Sequence, residues 1–359
     1  MIENNHIVFT IDLYNAVTNS KEQSVEIRMI NKERHFPSLV LGVVWFACGS
    51  TQANSGVIDL SRFIEGSLVS SDVVECELSD GTKTQCYELV TVGTEKTNDM
   101  IGPFCPSTTT SSAEDAGVWL DGKALYQADG SFIVNLPNLY GENIPPADQW
   151  IMYDADGNVN VTETLEACQA AARPDVDPAY YGFCVECSLE DLEIDLSLTF
   201  TIPVIPQVAD EPGRLSRQAG ISLNGFQIAA RAPVDDILSS YTIAAFDDCG
   251  GHVNPNDGYH YHAATAAEGC NSAGTETDGH PALIGYAMDG YGIYGPLDSD
   301  SSDSSDGDEL STLDECNGQE DSTRGYHYHA ASPELNQHIG CFRGKTTESG
   351  RPGGRPPRD

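Results

Sequence analysis

The chain reads as a mainly β protein, rich in hairpins, stabilised by disulfides and carrying one modest helix. Three observations predict that class. Asp-Gly and Asn-Gly pairs recur between short stretches of alternating residues, a strong local hairpin signal. Eleven cysteines suit a disulfide framework. The tetrapeptide Tyr-His-Tyr-His occurs twice, and aromatic residues in alternation favour a strand.

The N-terminal part contributes no domain. Residues 1–28 are mostly polar and read as an artefact of start-codon choice. Met29 opens a short cationic stretch (Lys32, Arg34), then an apolar run from Pro37 to Ala47 and a polar, small-residue exit. That is the anatomy of a secretory signal peptide, 29–47, and the run is too short to span a membrane. Cys48 follows directly, and residues 48–56 read as a flexible tether, as in a lipid-anchored envelope protein. Trp45 and Phe46 stand where a lipidation signal normally has Leu and a small residue, so cleavage near Ala53 is the alternative. Setting Cys48 aside leaves an even ten for bridges.

The body divides into an N-terminal β-rich part, 57–190, and a second domain, 191–344. In the first, Cys76 and Cys86 flank an Asp80-Gly81 turn and are expected to pair. Gly117–Phe132 and Trp150–Val161 each read as a hairpin. Val161–Arg173 is the expected helix, Ala-rich and stopped before Pro174, with Asn160 as its cap. Cys184 and Cys187 have CxxC spacing, but in an exported chain with Cys168 nearby they read as disulfides. In the second domain, Leu196–Gln207 is a strand ended by prolines. The segment AGISLNGFQI, from Ala219, is a hairpin that echoes AGVWLDGKAL near residue 120. Pro233–Ser240 is one helical turn. Ala282–Pro296 is a hairpin turning at Asp289-Gly290. Asp298–Glu309 is an acidic, Ser-rich insertion where calcium could bind, and 345–359 is a disordered Pro/Gly/Arg tail.

The chemistry concentrates in a duplication. Asp247–Cys270 and Asp314–Cys341 share an acidic residue and a Cys, Tyr-His-Tyr-His ten residues after that Cys, two Ala, and a closing Gly-Cys. Repeats of this kind are read before anything else. Each unit is expected to close its own bridge, Cys249–Cys270 and Cys316–Cys341, with crossed pairing as the alternative. In a strand, alternate side chains share a face, so His260 pairs with His262 and His327 with His329. If the two strands are neighbours, four imidazoles meet. Neutral imidazole suits borderline ions, so copper or zinc is the expected ligand. His252 and His280 are subsidiary candidates, with Asp289, Asp314 or the Tyr hydroxyls orienting the rings. His252 has Gln319 as its counterpart in the second unit.

These motifs, with GHPALIGYAMDGYGIYGP between the repeats and the closing IGCFRG, resemble the YHYH family of exported bacterial proteins over roughly Leu196–Gly344. The resemblance implies an extracytoplasmic, disulfide-containing, β-rich domain and supplies no activity. The first functional expectation is therefore a secreted or envelope-anchored metal-binding protein. A metal-dependent enzyme is the second, and a glycan- or protein-binding module with a Tyr-rich surface and structural His is the third. With 18 basic against 55 acidic residues and a net charge of −37, nucleic acid is not an expected partner. Contact with a membrane is expected only through a lipid on Cys48.

Overall fold

A computed structural model describes residues 58–94, 101–162, 164–173, 175–189, 197–215, 217–297 and 313–347. The proposed signal segment, Cys48 and its tether, and the acidic insertion Asp298–Glu309 lie outside them. The first hairpin joins β1 (Leu68–Glu77) to β2 (Lys83–Val92) through the expected Asp80-Gly81 turn, with Cys76 bridged to Cys86. Gly81 has φ +83, which a glycine adopts without steric cost. A second hairpin, β3 (Val118–Leu120) and β4 (Leu125–Gln127), turns at Asp121-Gly122.

The chain then departs from the expected pattern. Asp129-Gly130, which resembles another turn, opens a helix, α1 (Gly130–Tyr140). The Asp129 carboxylate accepts the Phe132 N–H and caps it, which is what an Asp ahead of an apolar run does. Its inner face buries Phe132, Ile133, Leu136 and Tyr140. The anticipated helix is shorter than expected: α2 spans Leu165–Ala171 and is capped by Thr164, while Asn160 donates to the Gly182 carbonyl instead. α3 (Val234–Ser239) falls where one helical turn is expected, so among the three α-helices of the described residues α1 is the unexpected one.

The remaining strands are β5 (Cys184–Val185), β6 (Ser197–Pro203), β7 (Val208–Gly213), β8 (Gln218–Ser222), β9 (Gln227–Ala229), β10 (Ile243–Ala244), β11 (Gly251–Asn254), β12 (Gly258–Tyr261), β13 (Leu283–Ala287), β14 (Gly292–Tyr294), β15 (Gly318–Asp321), β16 (Gly325–His329) and β17 (Phe342–Gly344). Eight of them form one sheet in the order β11-β12-β9-β8-β13-β14-β16-β15. The order is a near two-fold. Each half is a central hairpin (β8/β9 or β13/β14) with a Tyr-His strand added parallel to its second strand and an edge strand beyond. The halves meet through the antiparallel β8–β13 pair. The counterpart of AGISLNGFQI is thus Leu283–Tyr294, not the Val118–Gln127 hairpin that its sequence echoes.

Five disulfides hold the described residues. Cys249–Cys270 and Cys316–Cys341 each close one repeat. Cys184 and Cys187 go to different partners, Cys105 and Cys168. Two cores lie beneath these elements. One gathers Trp119, Trp150, Phe246 and Tyr259, and the other Phe200, Ile221, Tyr286 and Tyr328. Both include residues from either side of position 190, where the sequence reading draws a domain boundary. The C-terminal segment is structured further than expected. β17 pairs with β7, Lys345 meets Asp80, and Thr347 is buried opposite Leu78. Residues 345–347 therefore have ordered contacts where disorder is expected from 345.

Candidate metal centres

β12 and β16 carry the repeated tetrapeptide, each entered through a glycine with positive φ, Gly258 at +69 and Gly325 at +65. Period two sends tyrosines to one face and histidines to the other, as expected. The tyrosine face is internal. Tyr259 donates to Asp247 and Tyr326 to Asp314, at 2.8 and 2.9 Å. The other oxygen of Asp247 accepts the N–H groups of Cys249 and Gly251, and that of Asp314 those of Cys316 and Gly318. The second tyrosine of each motif reaches the turn of the adjacent central hairpin. Tyr261 accepts from the Asn224 amide and Tyr328 donates to Asp289.

Two expectations fall here. Asp289 lies with the tyrosines, where it also accepts the Gly344 N–H at 2.8 Å, and takes no part in either histidine cluster. Tyr259, Tyr261, Tyr286, Tyr291 and Tyr328 are all buried, so the tyrosine-rich face is core and not a binding surface. Burial pushes the carboxyl of Asp247 up to about 7 and that of Asp289 up to about 6, because a buried charge loses its hydration.

The histidine face forms two clusters. His252, His260 and His262 make one; His280, His327 and His329 make the other; in each, the three facing nitrogens lie within 4.8 Å of one another. His252 reaches its cluster from β11, opposite His260. His280 arrives from the segment ahead of β13. The four repeat histidines therefore do not share one ion. β12 and β16 are five strand steps apart in the sheet, or about 24 Å at ordinary strand spacing. The reason is topological: the central hairpins occupy the middle of the sheet and hold the Tyr-His strands away from each other.

Five of the six rings turn Nδ1 to a backbone carbonyl rather than to a carboxylate or a tyrosine. His260 Nδ1 lies 2.9 Å from Gly258 O, and His262 Nδ1 2.7 Å from Ala230 O. In the other cluster His280, His327 and His329 place Nδ1 at 2.9, 2.8 and 3.0 Å from the carbonyls of Pro281, Gly325 and Gly295. A carbonyl can only accept, so each of these Nδ1 atoms carries the hydrogen and each Nε2 presents a lone pair. Among these five rings Nε2 faces Nε2 in His260–His262 and His280–His327, both at 3.1 Å, and His252 Nε2 also lies 3.1 Å from His260 Nε2. Two acceptors at that distance repel. Nitrogens on a tetrahedral ion at 2.0–2.1 Å would stand about 3.3 Å apart, close to what is seen.

Burial lowers all six imidazoles below their ordinary range, His252 and His262 the most, and His329 to about 4. They are neutral near pH 7, the form in which imidazole binds a metal. Phe246 packs on His252 and His262, and Tyr294 on His280 and His327, with ring centroids between 4.7 and 5.6 Å apart. His338 is buried and neutral but joins neither cluster. Sequence reasoning held His252 and His280 as subsidiary, yet each supplies a third nitrogen. Its position two strand residues from the turn gave His252 a legible signal. Nothing local marks His280, whose approach depends on the fold.

Residues 199–312 match the family model described as YHYH protein. That stretch takes in both central hairpins and the first Tyr-His strand and stops before the second. No curated protein and no solved structure matches the chain.

Proposed function

From a YHYH-family segment whose sheet carries two histidine clusters, we propose that this chain is an exported metal-binding protein that holds two transition-metal ions, one per cluster. The observation that carries the reading is the second cluster. All three of its imidazoles commit Nδ1–H to a backbone carbonyl, so three lone pairs face one another within 4.8 Å, those of His327 and His329 buried and met by the Gln319 amide. Rings oriented in this way offer a cation three nitrogen ligands at once. Three imidazoles with no thiolate suit copper or zinc. The binders are His252, His260 and His262 in one centre, and His280, His327 and His329 in the other.

Five disulfides agree with an oxidising compartment. Among the described residues no helix is long and apolar enough to cross a membrane, and attachment would come through Cys48. The test is metal analysis of protein exported from a Met29 start and purified without chelator. Two equivalents are expected. His262→Ala and His329→Ala should each lose one, and the double variant both, because separate ions give independent losses. A metal-free wild-type protein that also fails to take up copper or zinc would sink the proposal.

A further inference from the structure

The two centres are built on matching hairpins, yet one position in the hairpin is occupied differently. Across β11 and β12, His252 stands opposite His260; across β15 and β16, Gln319 stands opposite His327. Two residues further along the same faces come Asn254 and Asp321. In the first centre the edge strand thus supplies a third imidazole. Its other polar neighbour is the Asn254 amide, whose nitrogen lies 3.4 Å from His260 Nε2 and whose oxygen already accepts the N–H groups of Asn256 and Asp257.

In the second centre the third imidazole comes from His280, and the edge strand offers an amide and a carboxylate instead. The Gln319 amide nitrogen lies 2.8 Å from His329 Nε2 and 3.3 Å from His327 Nε2. Both rings hold their hydrogen on Nδ1, so these atoms can only accept, and the amide must present its NH2 group to them. Asp321 Oδ2 stands 3.9 Å from His327 Nε2. It is fixed there by Arg324, whose guanidinium meets it at 2.6 Å, while Oδ1 accepts the N–H groups of Thr323 and Arg324.

An ion taking up the lone pairs of His327 and His329 takes two acceptors from the Gln319 amide. A donor that loses an acceptor gains from a new one in the same direction. A ligand on the ion would provide one, and if it is a water, its own hydrogen would find the Asp321 carboxylate. We propose that the His280–His327–His329 centre binds its ion with a fourth, exchangeable ligand, a water, hydroxide or small monodentate anion, held between the Gln319 amide as donor and the Asp321 carboxylate as acceptor. The His252–His260–His262 centre has an imidazole in place of the amide, and its nearby carboxylate, Asp257, is engaged by the Asn254 amide at 3.2 Å and by Arg217 at 3.0 Å; it carries no such ligand. The inference rests on both centres holding metal. A metal ion lowers the pKa of its bound water toward neutrality, so a hydroxide would be held at the second centre and not at the first.

The experiment loads the full chain with Cu(II), establishes two ions per chain, and titrates azide while following its charge-transfer band to copper. One azide per two coppers is expected. Gln319→His gives the second hairpin the residue that the first carries in the same register; it should retain two coppers and lose the azide band. Asp321→Asn should retain both coppers and tighten azide several-fold, because it removes an anionic neighbour. Two coppers with no azide, two azides of equal affinity, or azide binding unchanged in both variants overturns the inference while leaving the two-ion reading intact. A chain that takes up no copper overturns both.

Discussion

A single hydroxyl shows how tightly the inner face of the sheet is specified. Tyr328 donates to the buried Asp289 and accepts the N–H of the half-buried Arg343 at 2.7 Å. Tyr328→Phe keeps the ring and removes the hydroxyl, leaving a buried carboxylate and a backbone donor each short of one bond. A loss of about 1–3 kcal/mol is expected, measured as the shift of the urea midpoint at constant slope; an unchanged midpoint would contradict it. The residue scale is also where the sequence was most legible. That tyrosines and histidines part to opposite faces follows from strand geometry alone. That Asp289 serves a tyrosine rather than an imidazole does not, because it depends on which face of its hairpin turn meets β16.

At the level of elements, the repeated unit is an edge hairpin closed by its own disulfide and entered through an Asp that gathers two N–H groups and a tyrosine hydroxyl. Gly318 is needed by the close approach of that tyrosine: a Cβ there would overlap the Tyr326 hydroxyl, as one at Gly251 would overlap that of Tyr259. Gly318→Ala should therefore drive Tyr326 off Asp314 and cost about 1–3 kcal/mol, the range for overpacking a filled site. Thermal unfolding of the variant checks it, and a neutral result would show that the ring has room to move. The hairpins themselves were readable, since Asp-Gly and Asn-Gly mark their turns. The same dipeptide misled at Asp129-Gly130. There the residues after it are apolar at helical spacing, and Asp caps a helix as readily as it starts a turn.

Over the whole molecule, buried titratable groups pull stability in opposite directions with pH. Seven histidines, His338 among them, are held below their ordinary 6.5, with His329 and His338 near 4. In that window the unfolded chain binds protons that the fold refuses, so each contributes stability that is present above about 6.5 and lost as pH falls toward 4. Asp247, Asp289 and Glu186 are raised by burial and act the other way, binding protons in the fold that the unfolded chain has released. The histidines outnumber them. The metal-free protein is therefore expected to lose thermal stability on acidification from pH 6.5 to 4, and a flat or rising profile would refute this.

The sequence by itself determined the duplication, the alternation of tyrosine and histidine, most hairpin turns and the concentration of ligand-type residues in one stretch. All of these rest on short-range physics: period-two geometry and turn chemistry. Only the tertiary structure decided that there are two histidine clusters instead of one. The antiparallel β8–β13 pairing puts both central hairpins between the Tyr-His strands, and it is fixed by burial of Ile221, Tyr286 and Phe200 in a common core. The same long-range packing brings His280, which lies outside the repeated unit, to its two partners. No local pattern encodes that approach, because it depends on how whole strands are ordered in the sheet.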